Sequence, residues 1–155
     1  MPCSIVLAGI LNKLEVVQFV IENIEIFEHL AVKSNLGLKD FFDKLCEEVE
    51  LYDIEYDFEN ETEWYKAYDI DNIEINVSRP YQIETLHEWD ETVPVGCNFG
   101  ISLLSSKDLF EYDEMKYNKN YVLNYLIPKY KNAIKKTSNS DVYYHRGKFL
   151  KVDKE

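Results

Sequence analysis

The chain has 155 residues, with 17 Lys and Arg against 29 Asp and Glu, a formal net charge of −12 and 46% hydrophobic residues. This length predicts one globular domain over 1–155, and the composition excludes a disordered or low-complexity chain. No segment reaches the roughly 18 apolar residues of a membrane span, and no basic residue precedes the apolar start at Ile5, so we expect a cytoplasmic protein.

The N-terminal half predicts two helices and then a strand. Apolar residues at helical spacing predict a helix over 12–32, although its β-branched residues leave open a strand within 24–32. A second apolar stripe predicts a helix over 39–50, with Asp40 as its cap. Apolar and acidic residues then alternate over 52–59, which predicts a strand with its apolar side chains buried on one face.

The C-terminal half predicts mostly strands. They are a hairpin of 63–68 and 73–79 ended by Pro80, strands over 81–89 and 98–104, a helix over 117–136, and a terminal hairpin of 142–146 and 148–152. This order predicts an α+β fold, with a mostly antiparallel sheet packed with two or three helices.

The charge is concentrated in two segments of opposite sign. Residues 43–74 carry a net charge of −11, and residues 115–136 carry +6. On a strand, alternate acids share one face about 6.6 Å apart, and their mutual repulsion favours a basic partner. The predicted partner-binding residues are these acids and the aromatic residues among them: Asp53, Glu55, Asp57, Glu59, Glu61, Glu63, Trp64, Tyr65, Asp69, Asp71, Glu88, Trp89 and Asp90.

Three plainer interpretations of these residues stay open. The acids can form a solvated sheet face that serves only solubility, or the lysine-rich helix at 116–136 can cover and neutralise them. The aromatic side chains can belong to the core. Direct binding of nucleic acid or of an anionic membrane is disfavoured by the net charge.

The sequence offers little for catalysis, and we expect no cofactor and no metal. The acids fail the glycine and glutamate positions of an EF-hand loop, and glycine-rich phosphate loops are absent. His87, Glu88 and Asp90 are the best candidates for a carboxylate- or metal-dependent enzyme. Cys97 with His87 is a candidate nucleophile pair, against the plainer interpretation of a buried cysteine.

A family resemblance rests on the small size and acidity of the chain and on three segments. These are the row Asp53-Ile54-Glu55-Tyr56-Asp57-Phe58-Glu59 and the acidic segments around Trp64 and Trp89. It resembles the immunity proteins of bacterial contact-dependent inhibition and polymorphic toxin systems. The resemblance implies a non-enzymatic inhibitor that binds a basic cognate toxin domain, often a nuclease, in the cytoplasm of the producing cell. The alternatives are the small enzyme above and an acidic mimic of nucleic acid.

Overall fold

The computed structural model describes residues 26–82, 84–105, 119–138, 141–145 and 149–151. Its strands are β1 (Phe27–Lys33), β2 (Leu51–Glu59), β3 (Thr62–Asp69), β4 (Glu74–Pro80), β5 (Phe99–Leu104), β6 (Asp141–His145) and β7 (Phe149–Lys151). Its helices are α1 (Leu38–Glu48), α2 (Thr85–Trp89) and α3, which joins Lys119–Tyr121, the π-helical Val122–Leu126 and Ile127–Ser138.

The strands form one sheet in the order β2-β3-β4-β5-β1-β6-β7, and every neighbouring pair is antiparallel. Together with the helices, this sheet confirms the predicted α+β fold. Among the described residues, no helix is long and apolar enough to span a membrane.

One face of the sheet, the helix face, is covered by α1 and α3. Phe41 of α1 stacks on Phe99 with ring centroids 4.4 Å apart, and Phe42 stacks on Tyr65 at the same distance. Tyr130 of α3 lies fully buried in the same core. Besides Phe99, the buried strand residues of this core are Leu30, Val32, Ala67, Ile75, Val77, Ile101, Leu103 and Val142. Burial of these side chains is the main force that holds both helices on the sheet.

The opposite face of the sheet, the outer face, carries a smaller apolar cluster. Ala31, Val93 and Cys97 are buried there, and Leu86 of α2 and Tyr143 of β6 pack against them. The segment that contains α2 therefore covers part of the outer face.

Several predicted elements are confirmed. The sequence pattern correctly placed four elements: the hairpin of β3 and β4, strand β5, helix α1 and the terminal hairpin. Helix α1 begins after Gly37, however, and not at the predicted Asp40 cap. Residues 27–32 are strand, the alternative that the β-branched residues left open within 24–32, because β1 pairs with both β5 and β6 inside the sheet. Residues 12–25 and 117–118 of the predicted helices lie outside the described residues.

The strand predicted over 81–89 is wrong, because Thr85–Trp89 is the short helix α2. Pro80 is the last residue of β4, and a proline lacks the N–H that a strand uses for pairing. Glu84, the residue before α2, has φ of 81°, a left-handed conformation that turns the chain away from the sheet.

A buried carboxylate ties the β3–β4 turn to helix α3. Asp69, which is fully buried, accepts hydrogen bonds from the backbone N–H of Asp71 (2.9 Å) and of Ile73 (3.0 Å). It also accepts from Lys129 Nζ (3.1 Å) and from the Tyr130 hydroxyl (2.9 Å). Burial, together with this carboxylate, raises the pKa of Tyr130. The carboxylate satisfies four donors at once, so losing it leaves several buried groups without a partner.

We expect Asp69→Ala to lower the free energy of unfolding by roughly 3–5 kcal/mol, because it leaves the lysine and the backbone donors uncompensated. Asp71→Ala is the matched control: Asp71 is half-exposed and accepts from the Tyr121 hydroxyl at 3.2 Å. Its expected cost is about 1 kcal/mol or less. Urea unfolding of both variants measures the difference, and equal losses would contradict the role assigned to Asp69.

Candidate functional site

Strand β2 is the end strand of the sheet, and most of it is open to solvent. Tyr52, Ile54, Tyr56 and Phe58 are between 40% and 62% exposed. The prediction that these side chains are buried on one face is therefore wrong. The alternation correctly indicated a strand, but β2 has a described neighbour on one side only, β3. Its apolar side chains form a surface instead of a core.

A β-bulge decides which face each β2 side chain occupies. Tyr52 lies opposite Tyr68 and Glu55 opposite Lys66, so two residues, Asp53 and Ile54, share the place opposite Ala67. Asp53 has φ of 53°, the left-handed conformation found in one type of bulge. The bulge shifts the alternation by one residue, and it removes Asp53 from the predicted row of acids.

Three acids of the predicted row do share one face. Glu55, Asp57 and Glu59 lie opposite Lys66, Trp64 and Thr62 of β3, which places them on the outer face. All three are exposed, and they span about 14 Å along the strand. We call Glu55, Asp57 and Glu59 the acidic row. Exposed Glu61 in the β2–β3 turn adds a further negative charge near its end.

The helix-face side of β2 carries a line of aromatic rings that begins in the core. Tyr65, stacked on Phe42, lies 5.2 Å from the Tyr56 ring, and Tyr56 lies 6.3 Å from Phe58. The Tyr56 hydroxyl donates to Glu63 Oε1 at 2.8 Å, and this hydrogen bond raises the pKa of Tyr56 to about 12. The rings of Tyr56 and Phe58 therefore extend the core to an exposed edge.

The remaining predicted site residues of β3 and its turn are distributed over both faces. Glu63 lies on the helix face, 3.7 Å from Arg79, and Tyr65 belongs to the partly buried edge of the core. Trp64 is half-buried on the outer face beside Asp57. Asp71 is half-exposed at the β3–β4 turn. Asp69 is fully buried, so it cannot contact a partner in this conformation, and its assignment to the partner surface is corrected.

The predicted residues of α2 lie at a second place on the outer face. Glu88, Trp89 and Asp90 are exposed, and Trp89 and Asp90 help to line a pocket of about 450 Å³. Ser78 and Gly100 form part of its floor. By register, Asp57 is separated from Gly100 by three steps between strands, or about 14 Å. The acidic row and this pocket are thus close enough for one protein partner to cover both.

The pocket contains two imidazoles that the sequence did not indicate. His29 of β1 and His145 of β6 both line it, with ring centroids 6.4 Å apart. Burial lowers the pKa of His29, and the nearby His145 lowers it further, against smaller opposing effects of Glu28 and Asp90. The two histidines are 116 positions apart in sequence and meet through strand pairing, so no local pattern could have found them.

Two of the candidates for catalysis, His87 and Asp90, are held by local contacts. His87 Nδ1 is 2.6 Å from the Val93 carbonyl, and Asp90 accepts from the Thr92 N–H and hydroxyl. Burial raises the pKa of Cys97 to about 11, which opposes a role as a nucleophile at neutral pH. Within the described residues, no three His, Cys, Asp or Glu side chains are placed to hold a metal ion.

The described part of the lysine-rich helix lies on the helix face and not over the acidic row. Lys129 pairs with Asp69 at 3.1 Å, and Lys136 pairs with Glu48 of α1 at 3.5 Å.

Comparison with protein-family models, curated proteins and solved structures returned no significant match. The function of the surface is therefore inferred from its own residues.

The low pKa of His29 predicts a pH-dependent stability. Because the folded state binds this proton more weakly than the unfolded state, whose pKa is near the ordinary 6.5, the free energy of unfolding falls as the pH drops below that value. We expect His29→Gln to reduce this loss when urea unfolding is compared at pH of about 7.5 and about 5.5. Equal slopes for His29→Gln and the unsubstituted protein would refute the assignment.

Proposed function

We propose that this chain is an immunity-type inhibitor that binds and neutralises a basic toxin domain through the outer face around β2. The acidic row is its first contact surface, and Trp64 and Trp89 lie on the same face. In this proposal the protein acts in the cytoplasm of the cell that makes the toxin. Covering the catalytic cleft or the nucleic-acid groove of the toxin would block its activity.

One observation carries the proposal. Glu55, Asp57 and Glu59 are exposed on the outer face, whereas Lys129 and Lys136 pair with acids on the opposite side of the sheet. A row of like charges is held together at an electrostatic cost, of which Lys66, opposite Glu55, offsets a part. A cationic protein surface would relieve the rest of that cost. The row is also short, which favours a compact protein partner over the extended surface of a nucleic-acid mimic.

The arrangement supports a division of roles between charge and apolar contact. Carboxylates that stay in water act mainly on the rate of encounter, because they attract a cationic partner over a distance of about one Debye length. Exposed tryptophan and tyrosine side chains act mainly on the lifetime of a complex, because they bury a large apolar area once contact is made. Both kinds of side chain are present on this face.

We expect the triple variant Glu55→Gln, Asp57→Asn, Glu59→Gln to bind a cationic toxin domain encoded beside this chain about tenfold more slowly at low ionic strength. Its association rate should also depend less on salt. Stopped-flow fluorescence at several salt concentrations measures both quantities, and growth of cells that co-express the toxin domain reports neutralisation.

A control with the same change in net charge separates the local surface from the overall charge. Asp40→Asn, Glu47→Gln and Glu50→Gln remove three exposed acids in and next to α1. This control should keep most of the association rate. Equal slowing by the two triple variants, or no slowing by either, would reject the acidic row as the binding surface.

A further inference from the structure

We propose that the partner binds by strand addition, with an extended basic segment pairing with residues 55–59 of β2. It would pair along the edge of β2 that has no neighbouring strand among the described residues, which we call the free edge. This inference rests on the proposed function and deepens it, because it specifies the mode of contact and the chemistry of the segment. Edge strands bind extended peptides through main-chain hydrogen bonds, while alternate side chains provide specificity.

The backbone of β2 shows which groups face the free edge. The Phe58 N–H donates to the side chain of its own neighbour, Asp57 Oδ1, at 2.8 Å. In an antiparallel pair, alternate residues turn both backbone groups away from the neighbouring strand, so Tyr56 has the same orientation as Phe58. We infer that Tyr56 and Phe58 offer their N–H and C=O groups to an incoming strand, and that the Asp57 side chain occupies one of these positions until the strand arrives.

The regular part of this edge is long enough for a stable pairing. The bulge at Asp53 interrupts the ladder at one end, and the turn at Asn60 closes it at the other. Residues 55–59 between them are paired with β3 in continuous register. Five residues extend about 17 Å, which is a common strand length in globular proteins.

The two faces of β2 determine the side chains of the added segment. On the outer face, a new strand would lie beside Glu55, Asp57 and Glu59, and opposite charges on neighbouring strands stabilise a pair. On the helix face, it would lie beside the exposed rings of Tyr56 and Phe58. The best segment therefore alternates Lys or Arg with aliphatic or aromatic residues.

The same charges disfavour a second copy of this chain as the occupant. Antiparallel pairing of two β2 edges about Asp57 would place Glu55 of one copy opposite Glu59 of the other, and Asp57 opposite itself. Like charges directly opposite each other destabilise a strand pair. The edge is thus selective for a cationic strand.

The test uses the intact protein and three capped synthetic peptides as probes. The first peptide alternates lysine and valine, and the second has the same composition arranged in blocks. The third is the alternating peptide methylated at the backbone nitrogens of its valines, which would lie opposite Tyr56 and Phe58. We expect the alternating peptide to bind at least about tenfold more tightly than the other two. Hydrogen exchange measured by NMR should then show new protection of the Phe58 amide and the Tyr56 amide.

Variants of the edge test the same point from the protein side. Phe58→Pro removes an N–H that faces the free edge, a place where proline is tolerated in a sheet. It should weaken binding of the alternating peptide about tenfold relative to Phe58→Ala, which loses the ring but keeps the N–H. Tyr56→Pro, compared with Tyr56→Ala, provides an independent second pair, and circular dichroism verifies that each variant is folded.

The outcomes separate this inference from the proposed function. Strand addition is overturned if the methylated or block peptide binds as tightly as the alternating one, if the proline variants bind like their alanine controls, or if the protected amides lie outside β2. Slower toxin binding by the acidic-row variant would still support the proposed function in those cases. Conversely, peptide pairing at β2 without any effect of the acidic row on toxin binding would reject the proposed function alone.

Discussion

The sheet is wider than the helical layer formed by α1 and α3, and this mismatch governs the surface of the molecule. Seven strands occupy six intervals, or about 29 Å. Two helices packed at their usual separation of about 8–10 Å cover roughly 20 Å. The helices lie over the central strands, where the side chains of β4, β5 and β1 form the core. Strand β2 projects beyond them, and its side chains remain in water on both faces.

This geometry also separates the charges. Lys129 and Lys136 of α3 pair with Asp69 and Glu48, both on the side of the helices. The acidic row points to the opposite side. The chain thus uses one part of its acidic segment to anchor a helix and leaves another part open, although the two parts are neighbours in sequence. Position in the sheet decides between these roles, because a fully buried carboxylate must be paired and an exposed one need not be.

The limits of the sequence patterns follow from the same physics. Alternation over 52–59 correctly indicated a strand, because period two is a local property of the extended backbone. Burial of one face depends on which elements lie above that face, and this is decided by strand order. The bulge at Asp53 could not be predicted from the sequence for a related reason. Apolar and acidic residues alternate through it without a break, whereas the backbone conformation changes at Asp53. The acidic row was therefore predicted with one residue too many, and Asp69 was assigned to the surface.

Residues 27–32 show why a local pattern can leave helix and strand both open. Apolar residues at helical spacing extend into this segment, but its pairing with two neighbouring strands overrides the local pattern. The same pairing brings His29 and His145 together, so the pocket on the outer face is a product of topology. What the patterns predicted well was the elements with strong local signals, such as the amphipathic helix α1 and the β3–β4 hairpin with its Asp-rich turn.

The exposed rings of Tyr56 and Phe58 carry a consequence for handling the protein. At neutral pH the carboxylates beside them act as gatekeepers, since mutual repulsion keeps these edges of different molecules apart. High salt would screen that repulsion while leaving the exposed apolar rings in place. Precipitation at high salt would then begin with folded molecules joining at this edge, so colloidal stability would be lost before the fold itself.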